Sequence, residues 1–209
     1  MLQFTQMFKS FFKKSKRIYL DHASAVPESA NSSSIHAEGE KSKELLLDAR
    51  RQYARAIKTK STNIFFASTT TEANNIFIKG IALKNLKEKT SCHILYTNSD
   101  HSSIVETVEA CKLFGSNIES VAVDKIGRLV VEDLLSKLRL DTRLICFSYV
   151  HSELGTIQEV KKIIEAVKKY WTENFPGKET PKIFIDATQA LKYIPLDMNN
   201  LQVDGMSFG

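Results

Sequence analysis

Three short polar stretches in this chain each follow an apolar run, and each carries side chains able to handle an anion, a planar ring or a proton. After Phe66 come Ser68, Thr69, Thr70, Thr71 and Glu72, a hydroxyl-rich turn that leads straight into a helical pattern. Backbone N–H groups at a helix start carry partial positive charge and threonine hydroxyls add donors, so a phosphate can sit at this turn without Lys or Arg. The same run reads equally well as an N-cap with redundant threonines. After Thr97, the stretch Asn98-Ser99-Asp100-His101-Ser102-Ser103 places an imidazole in a polar turn, where it can stack on a ring or transfer protons. Taken alone, an exposed loop histidine is the simpler reading. The third stretch, Asp186-Ala187-Thr188-Gln189, ends an apolar strand with a carboxylate, whose desolvation is costly unless a cation or donors meet it. A protonated pyridine nitrogen is one such cation, and a helix-capping Asp is the ordinary alternative.

The elements that must position these residues follow from hydrophobic periodicity. From Ile18 onward, short β-branched or aromatic runs alternate with longer amphipathic segments, the pattern of strands joined by crossover helices. Strands are expected at 63–66, 93–97, 118–123, 143–148 and 182–185, and helices at 37–57, 71–86, 103–114, 131–138 and 160–171. In the first helix Leu45, Leu46, Ala49, Tyr53 and Ile57 share one face, while Lys41, Lys43, Glu44 and Arg51 decorate the other. Residues 172–181 read as a surface loop. The expected fold is α/β, a mostly parallel doubly wound sheet, in which ligands bind at the carboxyl ends of strands. All three polar stretches stand there, together with 149–158 after the fourth strand.

Composition narrows the function classes. With 209 residues, 43% hydrophobic and 25% charged, the chain has the make-up of a soluble globular protein. A net charge of +5 permits an anionic partner, but the Lys residues are dispersed and lack interleaved aromatics, which argues against nucleic acid. Cys92, Cys111 and Cys146 are widely separated and sit in apolar surroundings, so they read as core thiols in a reducing compartment, and no metal-ligand set is expected. Residues 1–17 form a basic amphipathic leader with Phe4, Phe8, Phe11 and Phe12 at helical spacing. It reads as a loosely ordered leader or a helix packed on a partner more readily than as a membrane-surface helix. No signal peptide is expected, because Lys9 interrupts the apolar stretch and the basic residues follow it.

Taken together, the stretches resemble the cysteine desulfurases, pyridoxal-phosphate enzymes of the class V aminotransferase superfamily. The similarity runs in order from IYLDHASAVP at Ile18 through NSSSIHAEG at Asn31, STTTEANNIFIKG at Ser68, DHSSI at Asp100 and SELGTIQ at Ser152 to IDATQALKYIPLDMNNLQVDGMSF at Ile185. The resemblance implies a fold-type I large domain, here incomplete, and pyridoxal 5'-phosphate as cofactor. It implies L-cysteine as substrate, with L-alanine and an enzyme persulfide as products for iron–sulfur or thiolation pathways. It further implies a homodimer in the full-length protein, a sulfur acceptor or scaffold protein as partner, and a cytoplasmic location. Carried over by motif position, Thr70 and Thr71 hold the phosphate and His101, the expected catalytic residue, stacks on the pyridine ring. Asp186 pairs with the ring nitrogen, Gln189 contacts the ring hydroxyl, and Ser152 stands at a cofactor- and substrate-contacting position. The alternatives are another class V enzyme such as a selenocysteine lyase, or a catalytically dead interaction module with the same fold.

Four departures from the family pattern qualify what is expected. His151-Ser152-Glu153 stands where the family has Asn-Asn-Glu, so a hydroxyl replaces an amide. Thr69 stands where the family usually has glycine, which predicts modest backbone strain. Only three residues separate Pro27 from Asn31, so 18–30 reads as a shortened entry segment before a cofactor-binding domain at 31–209. The family's Schiff-base lysine belongs a few residues past Phe208, and no lysine in the 209 residues matches it, so the chain reads as an N-terminal fragment inactive by itself.

Overall fold

The computed structural model describes residues 18–21, 23, 25 and 30–209. The expectations placed on the leader 1–17 and on residues 26–29 lie outside the described residues. The chain divides into two compact units, Met1–Gln52 and Tyr53–Gly209. In the first, Gly39 N–H donates to His36 Nδ1 at 3.2 Å, and His36 Nε2 lies 3.3 Å from Asp21 Oδ2. These contacts tie the extended segment to the start of the first helix, α1 (Ala37–Ala56).

The second unit is built on a sheet of five parallel strands in the order β2-β1-β3-β4-β5. The strands are β1 (His93–Thr97), β2 (Asn117–Val121), β3 (Thr142–Ser148), β4 (Lys182–Asp186) and β5 (Gly205–Ser207). Between and beside them run α2 (Thr70–Glu88), α3 (Ser102–Ala110), α4 (Val131–Ser136), α5 (Val160–Asn174) and the short α6 (Met198–Leu201). Side chains alternate across a strand, and both sets are apolar here. Leu95, Ile145, Phe147, Ile183 and Ile185 pack with Val160, Ile164, Val167 and Trp171 on one face. Ile94, Tyr96, Leu144, Cys146 and Phe184 pack with Ile78, Ala82, Ile104 and Val108 on the other. Burial on both faces is what makes the strands continuous apolar runs, and it confirms the doubly wound reading. No helix among the described residues is long and apolar enough to cross a membrane.

Two elements differ from the periodicity. Of the strand expected at 63–66, Asn63 instead ends a short 3-10 turn (Ser61–Asn63) and residues 64–66 pair with no strand, Phe65 being 85% exposed. A run of Ile and Phe gave them a strand's composition, but nothing lies beside them to complete a ladder. Conversely, β5 is a three-residue strand opened by glycine, too short and weak in propensity to stand out. It exists because it pairs with β4, with Asp186 opposite Ser207.

At the amino end of β1, His93 is fully buried, with Nδ1 2.9 Å from Thr142 Oγ1, and burial pushes its pKa below 6.5. The unfolded chain binds this proton near its ordinary value while the fold refuses it, so stability present above that pH is lost as the pH falls below it. We expect the urea midpoint to drop between pH 7 and pH 5, with a slope from this group of at most about 1.4 kcal/mol per pH unit. His93→Asn should flatten that fall; an unchanged profile in the variant would remove His93 as its cause.

Candidate active site

The strand order reverses direction between β1 and β3, since β2 lies on one side of β1 and β3 on the other. A crevice opens at the carboxyl ends of strands at such a reversal. His101 follows β1, Ser152 follows β3, and Asp186 closes β4, so all three stand on that rim.

The threonine turn starts α2. Thr69 is the N-cap, its Oγ1 accepting the Glu72 N–H at 3.1 Å, while Glu72 Oε2 accepts the Ser68 N–H at 2.6 Å. This reciprocal cap uses up Thr69 and leaves Thr70 and Thr71 as the first helical residues, half-buried and exposed respectively. Thr69 has φ −149°, ordinary extended backbone, so the strain expected from its replacing glycine is not present. The turn borders a cavity of about 290 Å³ also lined by Tyr53, Phe66, Ser207 and Phe208. Neither this cavity nor a larger one of about 580 Å³, walled mainly by apolar groups including Phe65, Ile76 and Phe77, is lined by His101 or Asp186.

One residue joins the three polar stretches. Asn74, fully buried on α2, donates from Nδ2 to Asp186 Oδ2 at 2.9 Å and to Ser103 Oγ at 3.0 Å. Ser103 Oγ in turn lies 2.9 Å from His101 Nδ1, which also accepts the Ser103 N–H at 3.1 Å. The other oxygen of Asp186 accepts the Thr188 N–H at 2.9 Å and the Thr188 hydroxyl. Asp186 is only 7% exposed, and every one of these contacts is a donor, the setting that suits a carboxylate anion. Asn74 lies four residues past Thr70, about 6 Å along the axis, and its side chain reaches on to Asp186. Phe184, two residues before Asp186 on β4, packs against Ile78 and Ala82 of α2, so Asp186 stands on the α2 side of the sheet.

Two further contacts fasten the loop that carries His101. His151 Nε2 donates to Ser99 O at 2.7 Å, while its Nδ1 accepts the N–H groups of Glu153 and Leu154 at 3.2 Å each. Asp100 Oδ2 accepts the Ser148 N–H at 3.0 Å and the Thr97 hydroxyl, and burial pushes its carboxyl pKa up. His151 is thus a loop clasp, and the neighbouring Ser152 is exposed, as is Gln189. The structure joins His101 and Asp186 in one network through Ser103 and Asn74; Thr70 and Thr71 start the helix that carries Asn74 but take no part in that network, and Ser152 and Gln189 lie exposed on the open rim.

Asn74, Ser103, Asp100 and His151 were not singled out by residue type. A signal existed for Asn74, an amide on the helix stripe that otherwise buries Ile78 and Ala82. Its Oδ1 and the Ser207 hydroxyl are buried without a hydrogen-bond partner among the described residues. Each such group costs about 1–3 kcal/mol, and a polar ligand is one way to recover it. Helix-start donors at Thr70 and Thr71, and a buried carboxyl group bonded to the same helix through Asn74, are of the types that suit a phosphate and a protonated ring nitrogen. By contrast Cys92, Cys111 and Cys146 are buried free thiols whose pKa values burial raises, Cys111 to about 11. They remain core residues, not nucleophiles.

Comparison with known proteins bears on this arrangement. The profile of the family "Aminotransferase class-V" matches residues 5–209. A putative cysteine desulfurase IscS 1 of Bacillus subtilis strain 168 is 31% identical over 207 residues, covering 92% of this chain and 52% of that protein. The cysteine desulfurase IscS of Dictyoglomus turgidum is 30% identical, covering 92% of this chain and 50% of its own length. Among solved structures, a NifS-like protein superposes with a TM-score of 0.78 at 29% identity, over 85% of this chain and 46% of that one. The chain spans about half the length of the curated relatives it matches.

Proposed function

Because the chain belongs to the aminotransferase class-V family, we propose that the rim between Thr70 and Asp186 holds pyridoxal 5'-phosphate and serves sulfur removal from L-cysteine. The observation that carries this reading is the Asn74 bridge, by which the helix that begins at the phosphate-type donors is tied directly to the ring-type carboxylate of Asp186. When bound, the cofactor supplies the electron sink that labilises bonds at the carbon bearing the substrate amino group.

The chain's own residues supply binding and orientation. The α2 start, with Thr70 and Thr71, presents N–H groups and hydroxyls to the phosphate. Asp186, ringed by donors from Asn74 and Thr188, holds the ring nitrogen protonated. His101, fastened at Nδ1 by Ser103, offers its ring face for stacking. Ser152 and Gln189 are placed on the rim where the ring hydroxyl and the substrate carboxylate arrive. Cys92, Cys111 and Cys146 are buried, so none of the three is placed to accept the sulfur. L-Alanine and persulfide formation, the homodimer, delivery to an acceptor or scaffold protein and a cytoplasmic setting belong to the same proposal for the longer form.

Titration of the purified chain with pyridoxal phosphate tests this reading. Saturable binding that dialysis reverses is expected, and borohydride should leave no covalent adduct at the site. Thr70→Val together with Thr71→Val should weaken it about tenfold, the loss of about 1.4 kcal/mol. Absence of saturable binding, or binding that the double threonine variant leaves unchanged, would overturn the assignment.

A further inference from the structure

We propose that Asn74 is a positioning residue that couples the charge on Asp186 to the hydrogen bonding of His101 through Ser103, an assignment that rests on the cofactor reading above. The polarity of the network carries the argument. The Ser103 backbone N–H can only donate, so His101 Nδ1 must be an acceptor, and the ring proton sits on Nε2. The Ser103 hydroxyl receives an N–H from Asn74 at 3.0 Å, which leaves its own proton free to point at the same Nδ1, 2.9 Å away. Two donors then converge on one nitrogen and fix both the tautomer and the plane of the ring.

What fixes Asn74 is Asp186. Its amide nitrogen lies 2.9 Å from Asp186 Oδ2; turning the amide over would set its oxygen against a carboxylate oxygen. The orientation seen gives the Asp186 oxygen a donor and leaves the amide oxygen of a fully buried side chain unpartnered. In Asp186→Asn, whose amide can itself donate, the Asn74 amide could turn, its oxygen would take the Ser103 hydroxyl proton, and His101 would keep one donor in place of two. A carboxylate that answers to a ring nitrogen and an imidazole that stacks on the ring face thus report to each other through residues that touch neither face.

Nitrogen-15 NMR of the histidine side chains in the 209-residue protein tests this, with His101 assigned by His101→Gln. In the unaltered protein His101 should show a single Nε2–H tautomer. Asn74→Leu and the isosteric Asp186→Asn should both move the Nδ1 resonance toward the tautomer-averaged position, although neither side chain touches His101. Asn74→Leu should also weaken pyridoxal-phosphate binding about tenfold. If the His101 nitrogens stay unmoved in folded Asp186→Asn while Ser103→Ala moves them, the coupling is wrong. Asp186→Asn carries the test should Asn74→Leu fail to fold. Resonances that respond in a protein that binds no pyridoxal phosphate would uphold the coupling and sink the cofactor reading instead.

Discussion

Replacing Asp186 with alanine should lower pyridoxal-phosphate affinity about a hundredfold, or about 2.7 kcal/mol, the largest functional loss expected from any single side chain here. The carboxylate is 7% exposed and oriented by three donors, so its charge is delivered in a poorly hydrated setting where screening is weak. Charge-assisted hydrogen bonds contribute about 1.5–3 kcal/mol when paired, and leaving a buried cationic partner without its anion costs more. The alanine variant also strands Asn74 Nδ2 and the Thr188 N–H, so folding must be checked by circular dichroism beside the titration. Asp186→Asn preserves the shape while removing the charge and should fall most of the way to the alanine value. Binding within threefold of the unaltered protein in a folded Asp186→Asn would mean that the ring nitrogen does not meet this carboxylate.

Gly205→Val should be the most damaging change to the fold, costing about 3 kcal/mol. A Cβ at Gly205 would lie 2.7 Å from Phe77 Cδ2 and 2.8 Å from its Cζ, well inside contact distance. The Phe77 ring has little room to retreat, because it is stacked on Phe184 with centroids 4.6 Å apart and 21° between planes. Either the ring leaves its stack or β5 lifts away from α2, and β5 carries Ser207 and Phe208 to the edge of the threonine-turn cavity. A lowered urea midpoint should therefore be accompanied by weaker cofactor binding. Phe77→Ala removes the obstructing ring, so in the double variant the penalty of Gly205→Val should shrink by more than half. Equal penalties with and without Phe77 would show that the close approach is not the cause.

Much of this architecture was legible before any coordinates. The strands β1, β3 and β4 are buried on both faces, and a strand with no solvent side has no freedom to be anything but apolar. The helix starts likewise announce themselves through local chemistry, as with Thr69 and Glu72 capping α2. Residues 63–66 misled because strand composition is necessary for a ladder but a neighbour is what makes one, and neighbours are not local.

The same distinction separates the two halves of the site. Residue types and their places after apolar runs were enough to nominate the threonine turn, His101 and Asp186, because helix-start donors, a turn imidazole and a strand-end carboxylate are properties of short segments; the choice of Thr70 and Thr71 within the turn came from the family resemblance. That Asn74 reaches Asp186 across 112 positions and Ser103 across 29, that His151 clasps Ser99, and that Ser152 and Gln189 stay on the open rim were decided by the tertiary structure alone. A hydrogen bond between distant residues leaves no periodicity behind, and its existence depends on how the helices settle on the sheet.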